Sequence, residues 1–295
     1  MSKPHSGRPE FAGEKPLEPR NDGVAISLPQ FEYQSAAGSK ARRPEVSDAG
    51  APATGAEAEG QRPMITVVNK STLVSDDDVK TMTRACAAQL RLHAAPLWGR
   101  RVIPVVYSST EADAPPGAWV IAILDDPDQA DALGWHTESQ GELIFGRVFA
   151  RPVLDNGGDA LTRSLSVASV LSHEVLETYV DPNVNLWADR GDGVAVALEV
   201  ADPVESDSYT VAIGGHEVTV SNFVGPRWFD PQSNAGDRFD YMGTAKEAFR
   251  MTPGGYIVVL KEGKISQQYG ERYPAWRKEL KRIDVARTAR RLSTG

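Results

Sequence analysis

The sequence predicts an α+β fold in which a mixed β-sheet packs on one buried helix, with a smaller C-terminal subdomain behind it. Three observations carry that prediction. Leu161 to Pro182 (LTRSLSVASVLSHEVLETYVDP) repeats Leu161, Leu165, Ala168, Leu171, Val175 and Tyr179 at three- and four-residue steps, the period of a helix face. Val167, Val170 and Leu176 lie off that stripe, so the helix is expected to be buried on most sides. Ahead of it, β-branched and apolar runs give the order strand, helix, strand, strand, strand; behind it, YTVAI and EVTVS flank Gly214-Gly215-His216 as a hairpin.

In chain order, residues 1–62 are rich in Pro, Gly, Ala, Ser and Glu and hold too little apolar material for a core, which predicts a disordered extension. Two islands in it, Val24–Leu28 and Phe31–Tyr33, are placed to dock on a folded domain or a partner. Ile65 to Asn69 reads as the first strand of a subdomain spanning 63–182. Ser75 followed by Asp76, Asp77 and Asp78 supplies a cap and an acidic first turn for a helix to about His93. Arg101–Tyr107 is predicted as a strand nearer an edge, because Pro104 donates no ladder hydrogen bond, and the apolar run Ala118–Leu124 as a central one. His136 falls in a loop before a fourth strand, Glu142–Ala150, and the main helix then runs to Asp181-Pro182. A C-terminal subdomain over 183–260 holds the hairpin and a last strand entered from Gly254-Gly255, and 261–295 is a basic tail.

The chemistry lies on the main helix. His173 and Glu177 are four residues apart, about 40° around the axis, so both leave the same face; Glu174 lies about 100° from His173. Buried charge persists only when paired, neutralised or bound to a metal. Two ligands at i and i+4 with a Glu directly after the first is the geometry of a zincin helix, whose Glu is the general base. Here the usual HExxH is HExxE, and a carboxylate at the second position ligates zinc while tilting the site towards manganese or iron. After the turn residues Asp189–Gly193, the apolar segment Val194–Val200 places Glu199 and Asp202 as candidates for a third ligand. One of the two would ligate and the other would orient His173; the spacing does not say which. His136 either lines the cleft as a substrate or oxyanion contact, adds a ligand, or is an ordinary loop residue. His216 reads as a turn residue.

The combination SHEVLETYVDP, NLW, ALEVADPVE, VSNFVGPRWFDP and PGGY, with GWHTES and FGRVFA ahead of the helix, resembles a group of uncharacterised bacterial and phage-associated zincin-like proteins. The resemblance spans about residues 64–275. It implies a metallopeptidase-like fold with His173, Glu177 and either Glu199 or Asp202 around a metal and Glu174 as base; it implies no substrate.

Composition bounds the alternatives. The single cysteine, Cys86, excludes intrachain disulfides and Cys-based metal sites, and its Ala neighbours on a helix make it a small core residue. No apolar run reaches the roughly 20 residues that span a bilayer, and the N-terminus shows no apolar signal segment, so a cytoplasmic location is the default expectation, with specialised export left open. Residues 261–295 hold ten Lys and Arg against four Asp and Glu, whereas the body between 63 and 260 is strongly acidic within an overall −8. An acidic body argues against a nucleic-acid cleft. The expected function is a metal-dependent hydrolase, a peptidase on a peptide or protein substrate, using Zn2+ or alternatively Mn2+ or Fe2+, with strand 145–149 as the edge on which substrate pairs. The competing expectation is an inactive zincin-fold binding or structural module of a phage-derived or secretion-related assembly, contacting a partner through the N-terminal extension or the basic tail. In a third reading, residues 1–62 occupy the cleft of a zymogen.

Overall fold

The computed structural model describes residues 63–127, 133–139 and 143–280. The expected extension 1–62 with its two islands, and the basic stretch beyond 280, lie outside the described residues.

The main sheet has five strands in the order β2 (Val105–Ser108), β1 (Ile65–Asn69), β3 (Trp119–Leu124), β5 (Ile144–Phe149) and β4 (Gly134–Glu138). The first four run parallel and β4 pairs antiparallel with β5, setting His136 opposite Gly146. β3 takes a central place, as its continuous apolar run requires. β2 is the edge on its side but is shorter than expected: Arg101 to Pro104 precede it, and the Pro104 carbonyl accepts from Ile65 N–H at 2.9 Å. Two expectations are overturned here. His136 sits on a strand rather than in a loop, and the strand at 145–149 is interior, so the edge beside the main helix is β4. Trp135 explains part of this, since it packs edge-on against Phe145, centroids 5.3 Å apart, on the partner strand.

Helix α1 (Asp76–Gln89) begins where its cap predicts, with the Ser75 hydroxyl accepting from Asp78 N–H at 3.1 Å. It does not stop at His93. A π-turn over Leu90–Ala94 leads into α2 (Ala95–Trp98), which Gly99 closes at φ 60°. Pro96 accounts for the wider turn, because its ring and missing N–H disturb the regular helical ladder. Cys86 is fully buried on α1, as expected.

After β5 and the short α3 (Ala150–Asp155), the main helix α4 covers Val167–Val180, a later start than Leu161. Its beginning is fixed by a reciprocal cap: each of Ser166 and Ser169 accepts the other's backbone N–H at 3.0 Å through its hydroxyl. Leu161 and Leu165 pack on the core from the preceding loop, where Leu161 C=O accepts from Thr219 N–H at 2.7 Å. All of α4 is buried. It ends at Asp181-Pro182 as predicted, and the Arg100 guanidinium donates to Val180 C=O at 2.7 Å, a cation at the negative end of the helix dipole.

A second, antiparallel sheet runs β11 (Lys264–Tyr269), β10 (Tyr256–Lys261), β7 (Val194–Ala197), β6 (Trp187–Asp189). β11 replaces the first part of the expected tail; its turn, Glu262-Gly263 at φ 51° and 73°, is of the tight hairpin kind. The helix α5 (Ala275–Leu280) follows. The predicted hairpin is β8 (Ser208–Ile213) and β9 (His216–Ser221), with exposed His216 beside its turn and Ser221 N–H donating to Ser172 Oγ of α4 at 2.7 Å. One apolar core runs from Ile65 to Val259 and takes in α4, Trp228, Phe229 and Phe239. No helix among the described residues is long and apolar enough to cross a membrane.

Candidate metal centre

His173, Glu174 and Glu177 are 7, 3 and 4 % exposed, which demands compensation for each potential charge. His173 Nε2 lies 3.1 Å from Glu177 Oε1 and 3.1 Å from Asp202 Oδ1. Asp202 therefore faces the same ring nitrogen as Glu177, the place of a ligand rather than of a group orienting the far side of the ring. The sequence spacing had left this open.

Asp202 opens a 3-10 turn, Asp202–Val204, and that turn is held from three sides. Ala201 N–H donates to Glu177 Oε1 at 3.3 Å. Val224 N–H donates to Val200 C=O at 2.8 Å, and Leu198 N–H to Leu186 C=O at 3.0 Å, so the SNFVGPRWF and NLW segments brace the ALEVAD loop. Thr252 N–H donates to Pro203 C=O at 2.9 Å. Gly255, of the PGGY segment, completes the cradle: a Cβ there would stand 2.0 Å from Pro203 O and 3.0 Å from Asp202 O.

His136 joins the cluster from β4. Its Nδ1 is 3.4 Å from Glu174 Oε2 and 3.9 Å from Glu177 Oε2, and its Nε2 is 3.1 Å from the Asp181 carbonyl oxygen. A carbonyl only accepts, so Nε2 carries the hydrogen. Asp181 also uses its carboxylate to accept Leu186 N–H at 2.8 Å, which ties the helix end to the following loop. Glu199 sides with His136: two sets, His136/Glu177/Glu199 and His173/Glu177/Asp202, each bring one potential ligand atom per residue within 4.8 Å of the others. All six residues singled out from the sequence thus meet in one cluster.

Electrostatics strain the cluster. Burial opposes charge on His136, yet the close Glu174 and the pull of Glu199 and Glu177 outweigh it and push the ring up to about 10. His173 is likewise raised, against its burial, by Glu177 and Asp202. Glu199 is pushed well above the carboxylate range by burial and then by Glu177, Asp202 and Asp181, with only His136 opposing. Glu174 Oε2 and Glu199 Oε2 are enclosed and accept no hydrogen bond among the described residues. Imidazole nitrogens and carboxylate oxygens of this kind fit zinc, manganese or iron, so the residues present suit a divalent cation.

A shallow cleft opens beside the site, with Gly134, His173, Glu174, Ser169, Glu205 and Arg277 in its wall. His136 is not among its lining residues; it lies beneath Glu174, which corrects its expected place as a cleft contact. Gly134 and Arg277 escaped the sequence reading. Gly134 is legible only once β4 is known to cross α4, and Arg277 only once the basic segment folds back as α5.

The chain matches no family model, no curated protein and no solved structure.

Proposed function

We propose that this protein is a metal-dependent hydrolase of zincin-like type, acting on peptide bonds, with a dication held by His173, Glu177 and Asp202 and with Glu174 as general base. The observation that supports it most directly is the convergence of Glu177 Oε1 and Asp202 Oδ1 on His173 Nε2, beneath a cleft into which Glu174 faces. When bound, such a dication polarises a carbonyl and makes water acidic near neutral pH. In this reading Glu174 would take a proton from the attacking water and return it to the leaving amine. Burial keeps bulk water from competing for its carboxylate. The β4 edge favours a peptide as substrate: an extended chain adding to that edge would pass Gly134 and enter the cleft beside Glu174.

The test begins with elemental mass spectrometry of tag-free, chelator-free protein. Wild type should carry zinc, manganese or iron, and His173→Ala should lose it. A peptide-library screen with the loaded protein then supplies a substrate, on which Glu174→Gln should keep its metal and lose about 10²–10⁴-fold in turnover. Undiminished turnover in metal-loaded Glu174→Gln overturns the base assignment. A wild-type protein that takes up no divalent ion overturns the hydrolase reading and favours a binding module.

A further inference from the structure

We propose that the cluster is a dinuclear metal site in which the Glu177 carboxylate bridges two divalent cations, one held by His173 and Asp202 and the other by His136 and Glu199. This rests on the metal-centre reading above and extends it to a second ion.

The first support is the placement of Glu177. Its Oε1 faces His173 Nε2 at 3.1 Å, while its Oε2 faces His136 Nδ1 at 3.9 Å. The two oxygens of one carboxylate are thus divided between two ligand sets, each complete with one histidine and one further carboxylate. A carboxylate used in this way suits two-metal hydrolytic sites, whose ions lie roughly 3.5–4 Å apart.

The second support is the ring of His136. Its Nε2–H donates to the Asp181 carbonyl at 3.1 Å, the outer hydrogen bond that fixes the tautomer of a ligating histidine. Nδ1 is then the only ring atom left to bind anything, and it points at Glu174 Oε2 and Glu177 Oε2. An unprotonated Nδ1 would aim its lone pair at two carboxylates there, and either a proton or a metal ion held between them relieves that repulsion.

The third support is charge. Glu174, Glu177, Glu199 and Asp202 bring four carboxylates around two imidazoles, and among the described residues no Lys or Arg pairs with Glu174, Glu177 or Glu199. Two dications match the charge of the four carboxylates; in their absence, protons on His136 and His173 carry that compensation. The enclosed Glu174 Oε2 and Glu199 Oε2 belong to this second half of the cluster. One imidazole and several carboxylates per ion suit Mn2+, Fe2+ or Zn2+.

The test uses the full chain, stripped with chelator and titrated with Mn2+ alone, read by calorimetry, elemental analysis and electron paramagnetic resonance. Wild type should bind two equivalents and give the spectrum of an exchange-coupled pair. Glu199→Gln and His136→Ala should each bind one equivalent with an isolated-ion spectrum; Glu199→Gln preserves shape should His136→Ala fold poorly. One equivalent in wild type, unaltered by Glu199→Gln and abolished by His173→Ala, overturns the second ion and leaves the single-metal reading standing. Two equivalents without coupling overturn the bridge. No binding overturns both readings.

Discussion

At Gly134 a single hydrogen leaves room for the Glu174 carboxylate. A Cβ at that position would lie 2.6 Å from Glu174 Oε1, 3.0 Å from its Cγ and 3.0 Å from Val170 Cγ1, so something must move. Val170 is anchored in the buried helix, and the carboxylate end is the softer of the two. Gly134→Ala is therefore expected to displace Glu174 without touching the ligands. Metal content should stay at the wild-type value while turnover falls on the order of 10²-fold, the usual cost of misplacing a reacting group by about 1 Å. Loss of metal in this variant would show that β4, and not Glu174 alone, had shifted. The residue scale also shows what local sequence encodes. His173, Glu174 and Glu177 were legible because a helix fixes their relative directions within one turn. Glu199 and Asp202 were legible only as candidates. Which of them turns towards His173 depends on the 3-10 turn over Asp202–Val204, and that turn depends on a glycine, Gly255, far down the chain.

The elements divide in the same way. β1, β3 and the β8–β9 hairpin follow from residues inside them, whose β-branched runs and Gly-Gly turn need no help from elsewhere. α4 was read from its apolar period, which Leu161 and Leu165 extend upstream; the serine pair at 166 and 169 overrides that period by capping the backbone. Ser166→Ala removes the acceptor for Ser169 N–H and should cost about 1 kcal/mol of stability, seen as a lower denaturant midpoint with an unchanged slope. An unchanged midpoint would mean that tertiary packing alone fixes the start of α4. β4 and β11 were missed because each borrows its order from a neighbour. β4 is held through Trp135, which clusters with Phe145 and Phe149 of β5, and β11 buries little beyond Ile265. His136 changed its meaning with its strand: a loop histidine suggests a substrate contact, whereas one held inward by β4 and braced on the Asp181 carbonyl suggests a ligand.

On the scale of the whole molecule, the site is assembled from both ends of the described chain. β4 and α4 supply His136, His173, Glu174 and Glu177; the segment between β7 and β8 supplies Glu199 and Asp202; and the cleft wall is finished by Arg277 of α5. Cations that bind here bind only the folded state, since the unfolded chain scatters these ligands along the sequence. Linkage then ties stability to metal: a ligand at about 1,000 times its dissociation constant adds about 4 kcal/mol. For a chain of this size that corresponds to a melting temperature raised by roughly 8–16 °C. Chelator should lower the melting temperature of wild type, and saturating Mn2+ or Zn2+ should restore it. The same treatments should scarcely move Glu177→Ala, which lacks the carboxylate common to both ligand sets. A response in Glu177→Ala equal to that of wild type would place the stabilising ion elsewhere in the molecule. An unresponsive wild type would mean that protons on His136 and His173, rather than metal, neutralise the buried carboxylates.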